Sequence, residues 1–172
     1  MAGRPKGSGG QAKDLSREEI KRIDQCLGKT VHELRNRALF FLGLGSGMRI
    51  AEMCQLLISD IVSLKKRIEI LPAIVLEKHS TKSKRSRTVY ISKQANLALR
   101  NYLESRSHLQ EKDPLFPSQM NRNQSLKANT AIITLSKMFK AAGIRHASSH
   151  SLRRTHANAL RRNGVDLKII QE

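Results

Sequence analysis

From Leu15 onward, apolar residues fall mostly at three- and four-residue intervals, the spacing of an amphipathic helix. Ser16 and Glu19 make an S-x-x-E capping box, with Leu15 and Ile20 placed as a hydrophobic staple. Ile20, Ile23 and Leu27 then share one face, and Gly28 stops the helix. Thr30 and Glu33 repeat the box ahead of "ELRNRALFFLGL", whose inward stripe is read as Leu34, Ala38, Phe41 and Leu42. Gly45 to Gly47 is expected to break this helix. "MRIAEMCQLL" should start another, with Ile50, Met53, Cys54 and Leu57 inward.

The period then changes. "RIEILPAIVL" and "RTVYIS" are rich in β-branched residues and are separated by the basic stretch "EKHSTKSKRS". They read as two antiparallel strands joined by a mobile, positively charged turn, with Pro72 marking an edge or bulge. Helical spacing resumes in "SKQANLALRNYLESR". A loop with Pro114 and Pro117 follows, then the helix "NTAIITLSKMFKAAG" closed by Gly143, and a last helix from about Ser149 to Arg162 with Gly164 after it. The fold class expected is α+β, mainly α-helical with one small antiparallel sheet. There is no internal repeat.

Residues 1–14 are Gly-rich and basic and read as a flexible arm, leaving 15–172 as one domain. Within the arm, "GRPKG" resembles half of an AT-hook, so Arg4 and Lys6 are candidate minor-groove contacts. At 172 residues and 39% hydrophobic, the chain can bury a full core. Aromatics are only 3%, with no Trp, so that core rests on Leu, Ile, Ala, Met and a few Phe.

The net charge of +18 narrows the choice of partner. So much positive charge is useful against a polyanion, and nucleic acid is the default. Cys26 and Cys54 form no paired-ligand spacing, which excludes a disulfide framework or zinc knuckle, and Cys54 sits on an apolar stripe. His146 and His150 are four apart without a third ligand, so zinc is rejected. No apolar run is long enough to cross a membrane and no signal peptide is recognisable, so the expected home is a reducing cytoplasm.

Four basic side chains stand apart by their settings. Arg49 follows the Gly-Ser-Gly stretch at a helix start, where backbone N–H groups favour an anion. His150 and Arg153 are i, i+3 at another helix start, and Lys82 lies in the turn between the strands. Two arginines and a lysine around a phosphate, with a histidine to move protons, would make a phosphoryl-transfer site that needs no metal. Taken singly, each is an ordinary surface or helix-end residue; the joint arrangement is what points to chemistry.

Three ordered boxes carry a family resemblance. They are Gly47-Met48-Arg49-Ile50-Ala51-Glu52 with Leu56 and Asp60 downstream, Lys82 with Arg87, Val89 and Ile91 behind it, and His150, Leu152, Arg153 and Thr155. This set resembles the tyrosine recombinase (phage integrase) family over roughly Leu15 to Glu172. The resemblance implies a catalytic-domain fold and an enzyme by family, working by DNA transesterification. A tyrosine attacks a DNA phosphate, a 3′-phosphotyrosyl link forms, and the strand is later rejoined to a partner. On this pattern Arg49 and Arg153 would hold the non-bridging oxygens, Lys82 would be the general acid to the leaving 5′-oxygen, and His150 would assist proton transfer. Lys84, Arg85 and Arg87 would be phosphate contacts that fix register. Glu52 would orient Arg49 or a neighbouring segment. Neither ATP, metal nor any other cofactor is expected.

Departures from the pattern set further expectations. Arg154 replaces a common second histidine, and His156 stands where an aromatic is usual and reads as packed or half-buried. Family members continue past "GVDLKIIQE" with a Leu-Gly-His-type box, a further His or Trp, and the nucleophilic tyrosine on a late helix. Tyr90 and Tyr102 do not match that place and read as packing residues. These residues are therefore expected to be a C-terminally incomplete catalytic domain, lacking the last helices, that binds duplex DNA without cleaving it. Two alternatives belong to other classes. One is a non-catalytic DNA-binding relative that regulates or competes with a full-length recombinase; the other is a basic helical nucleic-acid binder. The family works as a tetramer on DNA, while these residues alone are expected to be monomeric, in a bacterial or archaeal cytoplasm at the nucleoid.

Overall fold

The computed structural model describes residues 11–28, 30, 32–63, 68–76 and 86–166. Arg4, Lys6, Lys82, Lys84 and Arg85 lie outside these described residues, as does the strand-connecting turn.

Helix α1 (Arg17–Leu27) opens on the expected box: Ser16 Oγ accepts from Glu19 N at 3.2 Å, and Ser16 N donates to Glu19 Oε2 at 3.0 Å. Ile23 and Leu27 are fully buried and Leu15 nearly so. Helix α2 (Glu33–Ser46) begins without the second box. Thr30 Oγ1 instead donates back to Leu27 O at 3.0 Å, and Glu33 pairs with Arg37 one turn on. Helix α2 is also the central helix of the fold, packed on α4 (Lys93–Glu104) and α6 (Ser149–Arg162), with α1, α3 (Ile50–Gln55) and α5 (Ala128–Ala141) around it. Leu39 and Phe40 are therefore as buried as Ala38, Phe41 and Leu42, while Leu34 is only partly covered. An apolar stripe was the wrong picture for a helix covered on nearly every side.

The Gly-Ser-Gly stretch does not break α2 where expected. The helix runs through Gly45 and Ser46 and ends at Gly47, which is left-handed at φ +65°. Its glycines are approach points instead. A Cβ at Gly43 would stand 2.8 Å from Leu152 Cδ1 of α6, and one at Gly45 would run into Ser92 and Ala95 at the start of α4. Removing the side chains lets both helices close on α2 near one end.

Helix α3 is a single short stretch in which Ile50, Met53 and Cys54 are buried; the inward leucine after it is Leu56, not Leu57. Cys54 packs as an apolar residue, and burial pushes its thiol up to about 11. A 3-10 turn (Ile58–Asp60) follows. There Asp60 Oδ2 accepts from Leu57 N at 2.8 Å.

The strands form two small antiparallel pairs where one was expected. β1 (Val62–Ser63) pairs with β2 (Glu69–Ile70), and β3 (Ala73–Leu76) pairs with β4 (Arg87–Tyr90) in the register Leu76 with Arg87 and Ile74 with Val89. The split falls at Leu71-Pro72, because proline has no N–H for the ladder. Its carbonyl is still used, accepting from Ile91 N at 2.9 Å. Ile74, Leu76 and Val89 face the core, while Val75, Thr88 and Tyr90 face out. Tyr90 is thus not a packing residue, whereas Tyr102 is, stacked on Phe116 with ring centroids 5.8 Å apart. α6 spans the predicted residues, and Gly164 beyond it is left-handed at φ +81°. No helix among the described residues is long and apolar enough to cross a membrane.

Candidate functional site

The C-terminal end of α2 gathers residues from four parts of the chain. The left-handed turn at Gly47 reverses the backbone so that Arg49 caps α3, and it turns the Gly47 carbonyl toward α6. There Arg153 Nη1 donates to Gly47 O at 2.7 Å. The two arginines of the first and last boxes, more than a hundred residues apart in sequence, thus meet across one turn.

Beneath them lies Glu52, with its side chain 2% exposed. Its Oε2 accepts from Arg49 N at 2.8 Å and from Arg87 Nη2 at 2.7 Å, and its Oε1 accepts from Arg49 Nη1 at 2.9 Å. The anion that the α3 start favours is therefore supplied by the chain's own Glu52. Burial alone would push this carboxyl upward, but the bonds from the Arg49 backbone and side chain and from Arg87 outweigh it. They hold Glu52 below the usual carboxylate range.

Arg153 is half-buried. Burial lowers its guanidinium from the ordinary arginine value, the nearby charges of Arg49 and Arg87 lower it further, and Glu52 acts in the opposite sense. A guanidinium keeps its proton regardless. The same pattern of causes reports a local excess of positive charge: two guanidiniums pair with one carboxylate, and a third stands within its field. Each arginine has five N–H donors. Beyond the bonds just given, the rest of the Arg49 and Arg153 forks have no partner among the described residues. They are available to the oxygens of an anion.

α6 is held from behind. Thr155 Oγ1 donates to Ser151 O at 2.8 Å and accepts from Leu15 N at 2.8 Å, deep in the core. Asp14 accepts from Asn158 Nδ2 at 2.9 Å and from Arg162 Nη2 at 2.6 Å. The last residue of the expected arm is therefore bonded to the helix that carries Arg153. His156 is half-buried, as expected, with its Nδ1 3.2 Å from Leu44 O; a Cβ on Gly47 would stand 2.6 Å from its ring. Burial lowers its pKa, the Leu44 carbonyl opposes that, and the Arg153 charge adds to it. His156 thus braces the Gly47 turn from the side opposite its carbonyl bond.

Of the four candidate catalytic residues, Arg49 and Arg153 come together, and His150 is exposed one turn before Arg153 on α6. Lys82 is outside the described residues, but the strand ends that flank its turn, Leu76 and Arg87, are paired. Arg87, expected among the phosphate contacts, has its guanidinium on Glu52 and is 15% exposed. The partnership of Arg87 with Glu52 went unread in the sequence. Strand alternation held the signal: Arg87 shares the inward face of Val89, and an arginine turned inward requires an acceptor. No group of three or more His, Cys, Asp or Glu among the described residues could hold a metal ion.

This arrangement, a shelf of guanidinium groups at the end of α2, suits an anion whose oxygens the Arg49 and Arg153 forks can share. The large open groove of the molecule, about 1160 Å³, is elsewhere, lined by residues such as His32, Arg35, Arg106, Lys112 and Arg122.

Comparison with known proteins bears on the family and the fold. The family model described as "Phage integrase family" matches residues 13–172. Tyrosine recombinase XerC of Corynebacterium glutamicum is 34% identical over 139 residues, covering 81% of this chain and 42% of that protein. The crystal structure of XerA recombinase superposes with a TM-score of 0.73 at 30% identity, over 94% of this chain and 55% of that one. XerH site-specific recombinase bound to palindromic difH substrate, in a post-cleavage complex, shares the fold at a TM-score of 0.70 and 24% identity, over 96% of this chain and 46% of that one. The chain thus spans about half the length of the proteins it matches. With the two box arginines converging on one turn, and a family match from residue 13 to residue 172, the chain belongs to the phage integrase family.

Proposed function

We propose that this chain binds double-stranded DNA and supplies the phosphate-holding part of a tyrosine-recombinase active site. The complete protein would carry out site-specific strand cleavage and rejoining through a 3′-phosphotyrosyl intermediate. The observation that carries this reading is the convergence of Arg49 and Arg153 at the Gly47 turn, with most of both guanidinium forks unpartnered among the described residues. Two such forks aimed at one phosphate hold its non-bridging oxygens and stabilise the charge that develops as the tyrosine attacks. His150, exposed beside Arg153, is placed to assist proton transfer, and Lys82 is assigned as general acid to the leaving 5′-oxygen. The energy of the broken phosphodiester is kept in the covalent link, so no cofactor is required.

Tyr102 is buried, and Tyr90 projects from β4 on the face away from Val89, so neither is assigned as nucleophile. The 172 residues are read as residues 15–172 of a catalytic domain behind a short basic arm, monomeric by themselves and tetrameric on DNA in the complete protein. Their place in the cell on this reading is the cytoplasm, at the nucleoid.

Fluorescence anisotropy with a labelled duplex, over a range of salt, tests the proposal. Wild-type chain should bind with strong salt dependence from counterion release. Arg49→Ala and Arg153→Ala should each weaken binding by about tenfold, since each removes a charge-assisted phosphate contact. With a nicked suicide duplex the 172-residue chain should form no covalent adduct. Salt-independent binding, arginine variants that bind like wild type, or an adduct trapped on this chain would each overturn the assignment.

A further inference from the structure

Arg87 stands five positions beyond Lys82 and opens β4, yet its guanidinium is turned back onto the first box. It bonds Glu52 Oε2 at 2.7 Å, the same oxygen that accepts from the Arg49 backbone. Glu52 is almost fully buried, and among the described residues its two oxygens are satisfied by Arg87 and the Arg49 backbone on one and by Arg49 Nη1 on the other.

The consequence lies in how a carboxylate divides itself. A buried carboxylate facing one arginine is best satisfied by a bidentate fork, with two parallel N–H···O bonds. That geometry would turn the Arg49 fork inward and spend it on Glu52. Here Oε2 is already taken, and Arg49 gives Glu52 a single guanidinium nitrogen. Its side chain remains 37% exposed, against 15% for Arg87. The two arginines therefore have different jobs. Each gives Glu52 one guanidinium nitrogen, but Arg87 is the more covered of the two, and Arg49 keeps the more exposed fork.

We propose that Arg87 is a positioning residue: by occupying Glu52 Oε2 it keeps Arg49 on a one-point anchor with its free edge toward the phosphate, and it ties the β3–β4 hairpin to the start of α3. This rests on the reading that Arg49 contacts DNA phosphate. The same link ties Arg87, at one described end of the lysine-bearing segment, to the carboxylate that Arg49 also bonds, and Leu76 at the other end is the register partner of Arg87. Charge follows the same logic. Glu52 cancels one of the three guanidiniums around it, so the shelf keeps a net excess of two positive charges. A phosphodiester carries a single negative charge and gains a second as a nucleophile adds, so the excess matches the transition state more closely than the ground state.

The test uses the 172-residue chain with Arg87→Ala, Arg87→Gln and Arg87→Lys. The Arg49 Nε–H resonance, assigned by its loss in Arg49→Lys, reports the anchor without DNA, as does titration of the Glu52 carboxyl followed by ¹³C NMR. Duplex affinity against salt reports the phosphate contact. Arg87→Ala should shift the Arg49 resonance, raise the Glu52 titration midpoint, and weaken duplex binding about fivefold, with a salt slope that falls only together with the shifted Arg49 resonance. Arg87→Lys should restore all three toward wild type. If Arg87→Ala fails to fold, Arg87→Gln separates occupancy from charge: its amide can reach Oε2 without supplying charge, so the Glu52 midpoint should rise while the Arg49 resonance stays near wild type, and a Glu52 midpoint unmoved in this variant would overturn the proposal.

A salt slope reduced by about one with an unmoved Arg49 resonance would make Arg87 an ordinary phosphate contact and overturn the proposal. An unmoved Arg49 resonance and Glu52 midpoint at wild-type affinity would overturn it as well. If instead Arg49→Ala itself binds duplex like wild type, the DNA reading fails, while a shifted Arg49 resonance in Arg87→Ala would still establish the anchor.

Discussion

At the Gly47 end of α2, three guanidinium groups gather around one buried carboxylate, and one of them also bonds a backbone carbonyl. At the Glu33 end, about 21 Å away along the helix axis, His32, Arg35, Arg106, Lys112 and Arg122 line an open groove with a single acid, Asp113. The groove holds more basic side chains than the shelf, but its two central arginines are spent locally. Arg106 donates to the Pro114 and Leu115 carbonyls at 3.1 and 3.0 Å and lies over the Tyr102 ring, and Arg35 bonds its own neighbour Asn36. Those bonds close a loop against a helix end. At the shelf, each anchor takes one corner of a guanidinium and leaves the rest unpartnered. Positive charge alone therefore does not mark a site; what marks it is a buried partner that orients the charge and leaves it unfinished.

The sharpest way to break this comparison is to remove the acid at each end. Glu52→Ala leaves the Arg87 guanidinium 15% exposed with no partner in its place, and breaking a buried ion pair from one side costs about 3–5 kcal/mol. Among the described residues Asp113 accepts from the exposed backbone of Gln110, and Asp113→Ala should cost about 1 kcal/mol or less. Urea unfolding at neutral pH measures both. The pH dependence has a definite sign. Glu52 has a folded pKa below its ordinary value of 4.5. Its contribution is therefore present above that value and lost as pH falls through the lower folded value. The gap between wild type and Glu52→Gln should close over that acid range. A gap that persists at pH 2 would show that the network is not held by an ionised carboxylate.

Next in size is the backbone that presents the arginines. Gly47→Ala meets two obstacles at once, a left-handed φ of +65° and the His156 ring 2.6 Å from the new Cβ. Strain and overpacking together should cost about 2–4 kcal/mol. At the other end, Gly28 has φ −60°, and a Cβ there would meet nothing nearer than Glu33 Oε1 at 3.6 Å. Gly28→Ala should leave stability within about 0.5 kcal/mol of wild type or raise it slightly. Equal costs at the two glycines would mean that the Gly47 turn is not the constrained element that holds Arg49 and Arg153 together.

The contrast between the ends also explains which parts of the molecule were legible in the sequence. The α1 cap and the extent of α6 rest on local bonds, Ser16 with Glu19 and a run bounded by Ser148 and Gly164, so spacing alone could locate them. Arg49 and Arg153 stood out because their boxes are local as well. What escaped depends on distant partners. Thr30 matches a capping residue, but its hydroxyl finds Leu27 O first. Gly45 reads as a helix breaker until α4 is seen packed against it. Leu39 and Phe40 fall off any single stripe because α2 is surrounded. Tyr90 reads as a packing residue, but strand alternation turns it outward opposite Val89. The Arg87–Glu52 pair spans thirty-five residues and two kinds of secondary structure, and only period-two alternation hints that Arg87 must look inward.

The smallest expected effect concerns the two histidines that sit at opposite ends of α2, and it separates packing from chemistry. His156 is pressed against Gly47 and Leu44, and burial lowers its pKa below 6.5 with help from Arg153 and against the Leu44 carbonyl. His32 also has a lowered pKa, from burial and from Arg35, but its side chain is exposed at the start of α2. For a histidine whose folded pKa is depressed, the unfolded chain takes up the proton first. Stability therefore falls as pH drops through 6.5 and levels off once the folded value is passed. His156→Phe should remove most of that fall between pH 7 and 5, as read by urea midpoints, while keeping an aromatic brace on the Gly47 turn and leaving duplex affinity within about twofold of wild type. His32→Ala should leave the fall largely in place, because water already screens that ring. If the His156→Phe chain kept the wild-type slope, its imidazole would not be the group that titrates. If its duplex affinity collapsed, His156 would be part of the phosphate shelf and not a brace behind it.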